Sequence, residues 1–185
     1  IVNLQLVNSE FSCSYFENLY NSKLPQGELD INQVIEIVKF GYLEDVITIL
    51  RSAKDKKAYD KIKQGKIPAI TVSGIFTERN NQKLESHSGL IQIDIDHIEN
   101  YEEVFEKLKT DEYTYVCFRS PGGEGIKIIV KISPDELTHL EQFYALEKYY
   151  LEEFEVTIDA ACKDLARCLL LSYDPDLYCN PHSEV

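Results

Sequence analysis

Asp94 and Asp96 close the run Leu90-Ile91-Gln92-Ile93-Asp94-Ile95-Asp96, whose apolar character predicts a β-strand. Side chains alternate across a strand, so the two carboxylates share one face, roughly 7 Å apart. Left unpaired, they repel. A hard divalent cation, Mg²⁺ or Mn²⁺, resolves the conflict by taking oxygen ligands from both. The competing reading is a strand end whose acids cap the turn into a helix starting at Tyr101. A third acid in a similar setting favours the metal: Asp159 follows the short apolar run Val156-Thr157-Ile158. Three such carboxylates meet the needs of nucleotidyl transfer, in which paired ions stabilise the attacking and leaving oxygens.

Ser120-Pro121-Gly122-Gly123-Glu124-Gly125-Ile126-Lys127 lies between two β-rich runs. Gly122, Gly123 and Gly125 let the backbone approach a phosphate with its N–H groups inward. Ser120 adds a hydroxyl and Lys127 a point charge suited to a triphosphate. The plainer alternative is a hairpin turn with a solvated lysine. Arg167 either pairs with Asp164 or reaches a phosphate bidentately. Lys66, Ser73 and Arg79 are further phosphate-contact candidates, and His97 sits beside the carboxylates. No GxxxxGK[ST] or GxGxxG motif follows a strand, which argues against a P-loop or Rossmann site.

These residues need elements to position them. The 185 residues suffice for one compact domain or two small lobes sharing a core. Before residue 67 the pattern is mainly helical. Val2 to Val7 alternates like a strand, and Ser12 is expected to cap a helix to Tyr20. Asp30 or Asn32 caps a helix ended by Gly41, followed by helices over Leu43 to Ser52 and Asp55 to Lys63. From Ile67-Pro68 the character changes. Strands are expected over Ala69 to Phe76, Gly89 to Ile95, Tyr113 to Arg119, Gly125 to Ile132, Val156 to Ile158 and Arg167 to Ser172. Helices are expected over Tyr101 to Lys109 and Glu136 to Glu153, with a helical turn over Ala160 to Leu165. The order predicts an α+β sheet with helices on one side. The expected organisation is a mostly helical lobe, 1–66, and a catalytic core, 67–185, integrated as one domain.

The chain carries 32 acidic and 19 basic residues, a net charge of −13, which argues against a domain devoted to nonspecific grip on a phosphate backbone. Any nucleic-acid contact is therefore expected to be local, weak or supplied by another domain. No apolar run approaches the roughly 20 residues that span a bilayer, and Ile1 to Glu10 has no signal-peptide pattern. A cytoplasmic setting is expected, with Cys13, Cys117, Cys162, Cys168 and Cys179 reduced. Cys162, Cys168, Cys179 and His182 match no ordinary zinc spacing.

In order, Asp94-x-Asp96, Ser120 with its Gly-rich turn, and Asp159 after a short strand resemble the three motifs of the archaeo-eukaryotic primase superfamily, the primase-polymerases. More closely, residues 66–181 resemble the N-terminal domain of VirE-family proteins of Bacteroidetes and their phages. The resemblance rests on Ile67 to Phe76, His87 to His97, Arg119 to Lys127 and Asp159 to Asn180. It implies an RRM-like sheet behind a smaller lobe, and a following helicase-like region in the full protein. It implies a phage or mobile-element replication protein acting on nucleoside triphosphates and a single-stranded DNA template. Asp94, Asp96 and Asp159 would hold Mg²⁺ or Mn²⁺, and the Ser120 turn would face the phosphates. The sequence departs from that pattern at Lys127, where the superfamily's second motif ends in histidine.

Overall fold

The computed structural model describes residues 11–185. The strands are β1 (Ser12–Phe16), β2 (Gly27–Asp30), β3 (Ala69–Thr71), β4 (Gly74–Phe76), β5 (Leu84–His87), β6 (Leu90–Ile95), β7 (Thr114–Arg119), β8 (Ile126–Lys131), β9 (Cys168–Leu170) and β10 (Tyr178–Cys179). The helices are α1 (Ile31–Lys39), α2 (Glu44–Ser52), α3 (Lys56–Gly65), α4 (Tyr101–Leu108) and α5 (His139–Phe154). The fold is α+β, as expected. Among the described residues, no helix is long and apolar enough to cross a membrane.

Two antiparallel sheets carry the molecule, ordered β10-β7-β8-β6 and β2-β1-β3-β9, with β4 and β5 forming a separate ribbon. In the first sheet β8 lies between β6 and β7, so β6 and β7 run parallel across the α4 crossover. This is a split βαβ arrangement, except that the fourth strand, β10, lies beside β7 and not beside β6, where an RRM-like sheet would have it. Ile91, Ile93 and Ile95 of β6 pack with Phe105, Phe143 and Tyr150 of α4 and α5. Leu90 faces the other way, into a core shared with Val34, Ile70 and Leu169. The helices α4 and α5 therefore cover one face and the second sheet with α1 covers the other. Each buried large side chain contributes about 1.5–3 kcal/mol.

Several elements follow from local chemistry. The Asp30 carboxylate accepts from Asn32 N–H, and the Gln33 side chain returns to Asp30 N–H, a capping box that starts α1. Asp55 caps α3 by accepting from Ala58 N–H.

Three expectations need correction. Ser12 does not start a helix: Ser12–Phe16 is a strand, flanked by β2 and β3. Its residues Cys13, Ser14 and Phe16 are buried there, and two-sided strand pairing outweighs a capping serine. The run Ala69 to Phe76 is two strands in different sheets, parted by a turn at Val72 and Ser73, after which Gly74 lies so close to β5 that a Cβ there would stand 2.1 Å from Ser86 O. Val156 to Ile158 is not a regular strand; its sequel Asp159 donates its N–H to Asp94 O at 2.8 Å. Across residue 66, β1 of the first lobe pairs with β3 of the second. The strand expected over Val2 to Val7 lies outside the described residues.

Candidate functional site

Alternation along β6 sends its isoleucines into the α4/α5 core and leaves Gln92, Asp94 and Asp96 on the face towards the second sheet. Asp94 stands opposite Lys127 of β8 in register, and the two side chains form an ion pair. Each is only 13% exposed. Lys127 thus engages a carboxylate and is not the solvated lysine of the plain-turn reading. Asp94 Oδ2 takes that bond, while Oδ1 is buried without a hydrogen-bond partner. Burial pushes the Asp94 carboxyl up, Lys127 pulls it down, and Asp96 and Asp159 add to the upward push. Asp96 is exposed two residues on.

The turn between β7 and β8 is tightly held. Ser120 N–H donates to Gly125 O at 2.8 Å, and Gly125 N–H donates to Ser120 Oγ at 3.1 Å. A Cβ on Gly125 would stand 2.5 Å from Ile95 O, a backbone atom, so only glycine lets the turn lie against β6. Arg51 of α2 braces the outside. It donates to Ser120 O at 3.1 Å, Pro121 O at 3.2 Å and Tyr173 O at 3.1 Å. Burial and the neighbouring Arg119 lower its pKa, with Asp174 opposing. His97, at φ +51°, pairs with Glu124 at 3.3 Å on the surface.

Asp159 lies beside this floor through its N–H bond to Asp94 O. Its carboxylate accepts from Ala161 N–H at 2.9 Å, capping a 3₁₀ turn, and pairs with Arg167 at 2.9 Å. Arg167 therefore pairs with Asp159 rather than Asp164, whose backbone O accepts Arg167 N–H instead. Gln92 Nε2 donates to Arg167 O at 3.2 Å and ties this segment to β6.

A polar cleft of about 550 Å³, counted to its open mouth, lies against the turn. Asp96, Ser120, Gly122 and Lys127 line one side, with Tyr59 and Lys63 of α3 opposite. Gly125 also lines it, whereas Asp94, Gly123, Asp159 and Arg167 do not. Burial raises the Tyr59 pKa, with Glu124 and Asp96 adding to it, so its hydroxyl stays a donor. Among the other candidates, Lys66 is exposed, Ser73 donates to Leu165 O, and Arg79 donates to Ser22 O at 2.9 Å. Ser73 and Arg79 therefore hold loops together.

Among the described residues, no three His, Cys, Asp or Glu side chains form a ready metal cage. Asp94, Asp96 and Asp159 are neighbours, and what fits a cation is the unpartnered Asp94 Oδ1 with Asp96 beside it on the same strand face. All five cysteines are free thiols, with burial pushing Cys13 and Cys162 up to about 12. Sequence reasoning missed Arg51, Tyr59 and Lys63. Their only local signal is the i, i+4 spacing of Tyr59 and Lys63 on a charged helix.

Fold and site together define an α+β domain with a polar cleft between a β-hairpin and a helix. A family model described as "BT4734-like, N-terminal domain" matches residues 62–179. The chain belongs to this family, whose matched stretch runs from within α3 to the end of β10. No curated protein and no solved structure matches the chain. Arg51 and Tyr59 stand before the matched stretch, while Lys63 and all three acids stand within it.

Proposed function

We propose that the domain is a primase-polymerase-like nucleotidyltransferase, joining a nucleotide to a 3′-hydroxyl with release of pyrophosphate. One observation carries the reading: the buried Asp94 Oδ1 has no protein donor, although Asp96 and Asp159 crowd further negative charge around it. Asp94, Asp96 and Asp159 would hold Mg²⁺ or Mn²⁺. Such ions, when bound, neutralise charge on the attacking and leaving oxygens of an in-line displacement. The chain's own groups do the rest. Lys127 supplies a cation at the cleft wall for the triphosphate, and the Ser120–Gly125 turn presents a rigid backbone to it. Arg51 keeps that turn from shifting, which matters because small misplacements of a reacting group cost rate heavily. Arg167 holds Asp159 in position from outside the cleft.

In the reaction the 3′-oxygen forms a bond to the α-phosphorus, and the α–β phosphoanhydride bond breaks. The acidic surface fits a protein that takes its template locally. A phage or mobile-element replication protein in the cytoplasm, fused to a helicase-like region, is the setting this reading implies. A primer-synthesis assay with Mn²⁺ tests it. Asp94→Ala/Asp96→Ala is expected to lose at least a hundredfold in incorporation, and incorporation that survives would overturn the assignment.

A second reading is favoured by the Asp94–Lys127 pair, since a carboxylate already engaged by lysine is less available to a metal. On it the domain binds a nucleotide or a nucleic acid without turnover and serves the fused region. Calorimetry with Mn²⁺ and a nucleoside triphosphate separates the two. Saturable binding by a protein that incorporates nothing selects the second.

A further inference from the structure

We infer that α3 is the docking surface for a single nucleic-acid strand, led by its lysines to the mouth of the cleft. The inference rests on the nucleotide reading of that cleft and adds the place where the polymer lies. Residues 54–66 hold six of the 19 basic side chains and two acids, a local charge of +4 in a chain of −13. None of the six, Lys54, Lys56, Lys57, Lys61, Lys63 and Lys66, enters an ion pair among the described residues. Of the nine lysines elsewhere, Lys23, Lys109, Lys127 and Lys148 are ion-paired and Lys39, Lys107 and Lys131 donate to backbone carbonyls, which leaves only the scattered Lys83 and Lys163 in neither set among the described residues. An unneutralised basic strip on an acidic protein attracts a polyanion to one place and repels it from the rest.

Its direction is set by the helix. At 3.6 residues per turn Lys56, Tyr59 and Lys63 form one stripe, and the last two reach the cleft. Tyr59 Oη would stand only 2.5 Å from a Cβ on Gly122, so the stripe abuts the turn of the candidate nucleotide site. Lys57 and Lys61 extend the charge round the exposed side. A ten-residue helix is about 15 Å long. A triphosphate alone is too short to use that length. Tyr59 also sets a ring where the strip meets the cleft, and aromatic rings beside a basic track are how single strands are commonly held.

Fluorescence anisotropy with a labelled 12-nucleotide oligothymidylate tests the assignment. Lys56→Glu/Lys57→Glu/Lys61→Glu is expected to weaken binding at least tenfold. Its plot of log affinity against log salt should flatten by about 2, three lost contacts at roughly 0.7 each. Circular dichroism and the melting temperature establish that the variant is folded. A variant with the same charge change at Lys83, Lys109 and Lys148 is expected to bind as the wild type does. Equal binding by the α3 variant, or an equal loss in the control, would overturn the inference. So would a wild type that binds Mn²⁺ and nucleoside triphosphate in the calorimeter, or vesicles of anionic lipid, but not the oligonucleotide. Strand binding lost on α3 reversal in a protein with no affinity for nucleotide supports the docking surface and removes the nucleotide reading instead.

Discussion

Just ahead of β6, His87 at the end of β5 lies against His139, the first residue of α5; at the far end of β6 Asp94 lies against Lys127. Both pairs are partly or wholly buried, and each leaves one polar atom without a partner, His139 Nε2 and Asp94 Oδ1. The histidine end is neutral. Gly89 N–H donates to His87 Nδ1 at 2.9 Å, so the proton sits on Nε2 and points to His139 Nδ1 at 3.1 Å. That tautomer chain follows from the hydrogen-bond network. Burial and then His87 push His139 down to about 4, and burial lowers His87 against the opposing pull of Asp135 and Glu136. At this end the strand meets its polar demand by shedding charge. The other end keeps charge of both signs and still leaves a carboxylate oxygen unmet. One end of the strand is neutral, whereas the other buries a charge pair.

The largest effect expected from breaking this contrast is at Lys127. Lys127→Met leaves Asp94 buried and uncompensated, and is expected to cost about 3 kcal/mol at pH 7. Urea denaturation measures it, and Asp94→Asn/Lys127→Met should recover most of the loss. A cost under about 1 kcal/mol would mean the pair is effectively solvated and the two ends are alike.

Acid should act on the histidine end. Because His139 binds its proton less readily folded than unfolded, the unfolded state takes up protons first as pH falls. Stability is then unaffected above the unfolded value of 6.5 and declines as pH drops from there to about 4. The expected decline is about 3 kcal/mol, and denaturation midpoints across that range should show it shrinking in His139→Gln.

The smallest effect sharpens the role of the charged end's support. Arg51→Lys loses the planar fork that reaches several carbonyls at once. It should cost about 1 kcal/mol, with a several-fold loss of Mn²⁺–nucleotide affinity by calorimetry. An unchanged affinity would leave Arg51 as a stabiliser alone.

What the sequence disclosed follows the range of the forces involved. The α1 cap was legible because Asp30 and Gln33 act within one turn, and the shared face of Asp94 and Asp96 because a strand alternates. The β1 strand was not, since its partners β2 and β3 lie up to some 57 residues on in register. Arg167 was placed near the acids, but its partner Asp159 was chosen by how a 3₁₀ turn folds back on β6. Arg51, Tyr59 and Lys63 were invisible for the same reason: their positions depend on how α2 and α3 dock against a hairpin at 120–125.

The contact of Gly125 with Ile95 O has a consequence for protein engineering. A saturation library at position 125 should return glycine and little else, because every other side chain begins with the same clashing carbon. The hairpin and the acid strand are thereby fused into one inflexible part. Altered substrate range would have to be selected from the α3 bank, where side chains can be exchanged without moving the backbone.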